Sequence, residues 1–294
     1  MSSQWNLGNC RQHSVLLISV GLVFIIAFTM LSWGGSIAQA QTVLYGTDGQ
    51  QGRLLNIDPS TGAATTVGPI IASGVFPALA IRPITGVMYA GRGSGFPELY
   101  TVNPATGAGT LVGSSGLGFA AIGGMDFRAD GTLFAAVNIA GDGGTGSDHL
   151  ATINTSTGAA TIIGPFGSCT GVVVPSSGGG SCTIEGIEAI AFDASGDLWG
   201  ALSTRGTSGA PGLYSINTTT GAATFVAPIQ DSSGVAPSGG VVSLQFMGGI
   251  LFGGTARAIS PATDGGRLIT IVPQTGIFQF VGTVSAAGGT SLAA

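Results

Sequence analysis

Three acids stand out in a chain that is poor in charge: Asp126, Glu185 and Glu188. Only 7% of the 294 residues are Asp, Glu, Lys or Arg, so a carboxylate inside an apolar segment needs a reason. Asp126 lies in "GGMDFRADGTLFAAV" (123–137), which aligns with "PALAIRPITGVMYAG" (77–91), "EAIAFDASGDLWGAL" (188–202) and "VSLQFMGGILFGG" (242–254). The alignment puts Ala80, Ala191 and Gln245 where Asp126 stands, and the terminal "GGTSLAA" (288–294) adds Ala293. A carboxylate in a row of alanines must be hydrogen-bonded, hydrated or protonated. Glu188 opens the next copy and Glu185 lies three residues before it. Converging at a channel mouth, the three acids could bind a cation or act as acid and base on a glycan. The plainer reading is preferred: Asp126 and Gln245 satisfy polar groups of inner strands, and the glutamates are solvated.

A second set of polar residues fills "AGDGGTGSDHL" (140–150). Asp142 and Asp148 could share a calcium ion, which takes six to eight oxygens, but two carboxylates supply only part of that shell. A solvated loop with no cofactor is the expectation, with calcium as the alternative. His149 is the one histidine beyond residue 40, which excludes a three-histidine zinc site. Ser147, Asp148 and His149 are neighbours in sequence, so on a strand they point to alternate faces and do not assemble a triad. The G-x-G-x-x-G match at 141–146 is followed by a strand pattern, whereas a dinucleotide site needs a helix there.

Export is written into the N-terminus. A charge-free stretch, "VLLISVGLVFIIAFTMLSW", ends near Ala38-Gln39-Ala40, the small-x-small pattern of a signal-peptidase site. Residues 1–40 read as a signal peptide cleaved after Ala40, with an uncleaved membrane anchor as the alternative. Both readings place 41–294 outside the cytoplasm, periplasmic, surface-held or secreted. Cys169 and Cys182 flank a Gly/Ser-rich stretch, and in an oxidising compartment they read as one disulfide. Neither has the His or Lys neighbour that makes a reactive thiolate. The exported part holds no lysine, and seven arginines against thirteen acids leave it at −6. Such a surface is a poor partner for nucleic acid.

The elements that must hold these residues come from a repeat. "LLNIDPSTGAATTVG" (54–68), "LYTVNPATGAGTLVG" (99–113), "LATINTSTGAATIIG" (150–164), "LYSINTTTGAATFVA" (213–227) and "LITIVPQTGIFQFVG" (268–282) are one phrase. Each reads as a strand of period two, a turn built from Pro, Asn or Asp and Gly, and a returning strand. The four segments aligned around Asp126 are further strand pairs, so pair plus phrase makes a four-stranded antiparallel unit. The first unit lacks its first strand, and "GGTSLAA" supplies one at the other end. The prediction is all-β: a five-bladed β-propeller over 41–294, closed by the C-terminal strand pairing with the N-terminal blade. In such a meander the long, unequal connections gather on one face, where binding usually resides.

The "LYxI[DN]PxTGxxTxVG" phrase resembles repeats of exported bacterial propeller proteins of uncharacterised function. "EGIEAIAFDASGDLWGAL" is similar to repeats of streptogramin lyase, gluconolactonase and NHL-type propellers. The resemblance implies a propeller for nearly all of 41–294. Those enzymes have six or seven blades, so no catalytic residue is carried over. The expected function is therefore an exported, non-enzymatic binding module with a protein or glycan ligand on its loop-rich face. The alternative is a lyase or glycan hydrolase with an acidic, calcium-dependent site at the central channel.

Overall fold

The computed structural model describes residues 43–48, 51–93, 95–118, 121–138, 149–167, 184, 186–202, 212–237, 240–255, 266–284 and 290–294. The signal segment, Asp142, Asp148, Cys169, Cys182 and Glu185 lie outside the described residues.

Among the described residues, twenty strands form five antiparallel sheets of four. The first sheet takes β1 (Leu44–Asp48), β2 (Arg53–Ile57) and β3 (Ala64–Pro69) from the N-terminal side. The second is β4 (Ala78–Ile81), β5 (Met88–Gly91), β6 (Glu98–Val102) and β7 (Gly109–Ser114). The third is β8 (Ala121–Phe127), β9 (Leu133–Asn138), β10 (His149–Ile153) and β11 (Ala160–Pro165). The fourth is β12 (Ile187–Phe192), β13 (Leu198–Leu202), β14 (Gly212–Ile216) and β15 (Ala223–Ala227). The fifth is β16 (Val241–Met247), β17 (Ile250–Thr255), β18 (Arg267–Ile271) and β19 (Phe278–Thr283). The last strand, β20 (Thr290–Ala293), returns to the first sheet and pairs with β1, matching Tyr45 to Ala293 and Asp48 to Thr290. The protein is a five-bladed β-propeller closed by its C-terminal strand.

Each blade has an apolar residue set on both faces, so each is covered only by its neighbours. Five clusters of buried side chains fill the five wedges between successive blades. Between blades three and four, for example, Phe134 and Phe192 meet edge to face with ring centres 5.2 Å apart.

The repeated phrase has a job at the rim. Its turn glycine in one blade packs backbone to backbone against the phrase's last glycine in the blade before: Gly107 on Gly68, Gly158 on Gly113, Gly221 on Gly164 and Gly62 on Gly282. A Cβ on Gly68, Gly113, Gly164 or Gly282 would collide with the carbonyl oxygen of Thr106, Thr157, Thr220 or Thr61, respectively. Hydrogen bonds run through the same seams: the amides of Gly109, Ala160 and Ala223 donate to the carbonyls of Ile70, Ser115 and Phe166 at 2.8–2.9 Å. Where the phrase of blade four ends in Ala227, the turn glycine Gly276 packs on the Pro228 carbonyl instead, and the Phe278 amide donates to the Gln230 carbonyl at 2.9 Å. Every outer strand also carries a bulge at the same place, opposite the Leu54/Leu55, Leu99/Tyr100, Leu150/Ala151, Leu213/Tyr214 and Leu268/Ile269 steps.

Candidate functional site

Five inner strands crowd one axis, and the residues facing the next blade are correspondingly small. Two layers can be read from the register. In the upper one Ala78, Gly124, Ala189, Ser243 and Ser291 lie opposite Gly91, Ala136, Ala201, Gly254 and Thr47. In the lower one Ala80, Asp126, Ala191, Gln245 and Ala293 lie opposite Tyr89, Phe134, Trp199, Phe252 and Tyr45, an aromatic in every blade. A Cβ on Gly124 would collide with the Glu188 carbonyl of the following blade. At the level of the upper layer, a space lined by residues of all five inner strands has about 10 Å³ open to water, room for one water molecule.

Asp126 is buried, and its carboxylate faces the next blade. Its two oxygens accept the backbone N–H of Phe127 at 2.8 Å and of Phe192 at 2.7 Å. One side chain thus satisfies an edge amide of its own strand and one of β12, clamping blades three and four where their inner edges have no strand partner. Burial pushes its pKa up to about 7, against the two N–H groups, which favour the charged form. Gln245, at the equivalent position, donates from Nε2 to the Phe246 carbonyl at 3.0 Å. Both polar residues of the lower layer serve backbone groups.

Glu188 is half-buried and lines the axial space on β12. Phe192, which Asp126 grips, is four residues further along the same strand, about 13 Å at ~3.3 Å per residue. The structure therefore sets Asp126 and Glu188 at different levels of the axis. Among the described residues no three His, Cys, Asp or Glu side chains come together as a metal site would require.

In an antiparallel meander the turns joining first to second and third to fourth strands share one end. The second-to-third and blade-to-blade connections share the other. At the first, plain end the turns are tight and their polar groups serve the turns: Arg128 pairs with Asp130 at 2.6 Å, and the Trp199 indole N–H donates to Asp193 at 3.0 Å. Arg128 and the Thr132 amide hold the Asp130 carboxyl far below the usual range.

The loop-rich end carries a group of charges that the repeat had not suggested. The residue that opens the third strand of each blade is Arg53, Glu98, His149, Gly212 and Arg267. Arg53 pairs with buried Asp48 at 2.5 Å, and Arg92 pairs with Glu98 at 2.8 Å. Glu98 also accepts the Tyr100 hydroxyl at 2.8 Å. The hydrogen bond from Arg92 lowers the Glu98 pKa, while burial, reinforced by Glu98, raises that of Tyr100. Arg92 stacks on the ring of Phe96, 4.5 Å from its centre, and Phe96 is 52% exposed. Arg267 stacks on Phe280 at 4.7 Å. The signal was present in the sequence: the residue just before the leucine of each phrase is ionisable in four of five copies.

No family model matches the chain, and no curated protein matches it. Among solved structures, a gluconolactonase from Xanthomonas campestris is similar at 11% identity and a TM-score of 0.48, over 82% of this chain and 72% of that one. A protein of unknown function from Bacteroides caccae is similar at 10% identity and a TM-score of 0.48, over 85% of this chain and 98% of that one. A third, from Bacteroides thetaiotaomicron and also of unknown function, has 13% identity and a TM-score of 0.42. This chain covers 56% of that protein's length.

Proposed function

We propose that the propeller is an exported binding module, freed of residues 1–40, whose loop-rich face takes a protein or glycan ligand. The observation that carries this reading is the set of ionisable residues at the loop stems, Arg53, Glu98, His149 and Arg267, on the face where the connections are long. Rigid strands hold these groups, and exposed Phe96 adds an apolar ring braced by Arg92. Fixed charged and aromatic groups on a rigid scaffold are what a binding surface needs.

The test is a thermal-shift screen against a glycan panel and candidate envelope proteins, since a ligand of the native state raises its melting temperature. A hit whose shift is lost in Phe96→Ala and Arg92→Ala but kept in the plain-face variant Asp58→Ala supports the reading. A hit indifferent to all loop-face variants refutes it.

The enzymatic alternative, a lyase or glycan hydrolase using Asp126, Glu185 and Glu188 with or without calcium, has one supporting observation: a pKa near 7 suits a general acid. Its test is turnover of candidate glycans by wild-type and Asp126→Asn protein, with calcium and with chelator. A calcium-induced rise in melting temperature that is lost in Asp142→Asn and Asp148→Asn would support a calcium site at those two residues.

A further inference from the structure

The upper layer of the axis contains two hydroxyls on adjacent blades, Ser243 on β16 and Ser291 on β20. Their surroundings differ. Thr47 Oγ1 donates to the Phe76 carbonyl at 2.5 Å and lies 2.6 Å from Ser291 Oγ. A hydroxyl has one proton, and Thr47 has given its own to Phe76. Ser291 must therefore donate to Thr47, which leaves the Ser291 oxygen with acceptor capacity. Ser243 is 5% exposed, and its Oγ has no hydrogen-bond partner among the described residues.

Direction follows from the layer. At the equivalent position in blade three a Cβ on Gly124 would run into the next blade's inner strand. Ser243 has the same register and so projects toward the next inner strand, which is β20. Both serines line the axial space of about 10 Å³, the size of one water molecule, which needs at least two polar partners. A buried hydroxyl left without a partner would be destabilising.

We propose that this layer is a binding site for a single water, which accepts from Ser243 and donates to Ser291. The hydrogen-bond chain then runs Ser243, water, Ser291, Thr47, Phe76 carbonyl, and joins blades five, one and two. It crosses the seam where the two ends of the propeller meet, adding a polar tie to the β20–β1 ladder, and it closes the axis to any larger solute. The two hydroxyls that face this space are neutral, which fits water, while Glu188 lines the same space from β12. A monovalent cation of similar size is the competing occupant.

Three readouts on the full propeller test this. A high-resolution crystal structure should show one peak about 2.6–3.2 Å from both serine oxygens; no peak there overturns the proposal. Ser243→Ala should lower the melting temperature by about 2–4 °C, the effect of one lost hydrogen bond in a protein of this size. If the hydroxyl were unpartnered, the same change would be neutral or stabilising, and the proposal would fail. Ser243→Ala and Ser291→Ala should be non-additive in combination, because one water serves both; additivity overturns the shared water. The wild-type melting temperature should not depend on exchanging sodium for potassium at constant ionic strength. A cation-specific rise that vanishes in Ser243→Ala would assign the site to an ion instead.

Discussion

At the residue scale, Asp126 couples proton binding to the inner edges of two blades. Its folded pKa, about 7, lies above the ordinary 3.8, so the native state holds this proton more tightly than the unfolded chain does. Between those two values the unfolded state binds fewer protons, and stability falls as pH rises. The stabilising effect is full below about pH 4 and gone above about pH 7, on the order of a few kcal/mol in total. Asp58, Glu98, Asp130 and Asp193 have lowered pKa values, so they contribute stability that is lost at more acid pH, outside this window. The melting temperature of the wild type should therefore drop from pH 5 to pH 7.5, and the Asp126→Asn profile should be flatter; parallel profiles would refute the assignment. Ile84 offers a second, independent residue-level case. It is fully exposed at the tip of the β4–β5 turn with φ +71°, where a β-branched side chain is strained and nothing packs to compensate. Ile84→Asn, which tolerates that conformation, should stabilise by about 1 kcal/mol in denaturant melts.

At the element scale, the phrase is a strand pair with a docking code. Its turn glycine and its terminal glycine never touch within a blade; they meet between blades, so each copy needs a neighbour to be satisfied. Gly113→Ala would place a methyl against the Thr157 carbonyl, a backbone contact that cannot rotate away. The cost should reach the upper part of the about 1–3 kcal/mol typical of overpacking. Ala227, which already breaks the glycine pattern, should accept Gly at far lower cost, and equal effects at the two sites would remove the glycine seam as an explanation. The outer strands β3, β7, β11, β15 and β19 contain no charged residue. Charge is therefore not what guards their open edges against other chains; the five repeated bulges interrupt each edge instead. Strands and turns were legible in the sequence because their causes are local: period two, Pro-preset turns and a left-handed Gly. The Gly–Gly pairing was not, because both partners are in view but their meeting depends on the ring. Asp126 was legible as an anomaly among alanines that serves polar groups of inner strands, whereas its reach to the next blade was not, since the amide of Phe192 has no side-chain signature. The stem residues Arg53, Glu98, His149 and Arg267 stand in plain order before each leucine. They escape a repeat-based reading because their position changes in sign and type from copy to copy, and only the shared face of the ring makes them a group.

At the scale of the whole molecule, the propeller is a chain of wedges whose ends must find each other. Thr47 and Ser291 are hydrogen-bonded across 244 positions of sequence, and nothing local brings them together. The missing first strand of the first unit and the spare strand at the C-terminus were enough to read this closure, because an unpaired β1 edge would otherwise stand open. Leu292 and Ala293 are buried in the wedges on the two sides of blade one, among Leu44 and Phe252 on one side and Leu54 and Phe76 on the other. A protein ending at residue 289 loses both wedges' innermost side chains and exposes the β1 edge on the axis side. In a propeller each blade is stabilised mainly by its neighbours, so the damage should begin at blades five and one and spread through the seams between the remaining blades. Calorimetry should then show a lower, broader transition than the full chain gives, and the freed β1 edge should drive association on a sizing column. A synthetic peptide of residues 288–294 supplied in excess should restore part of the melting temperature by binding the native edge. If the shortened chain melts as sharply and as high as the full one, the five wedges do not depend on a closed ring, and the loop-bearing face loses the rigid base on which its ligand is proposed to dock.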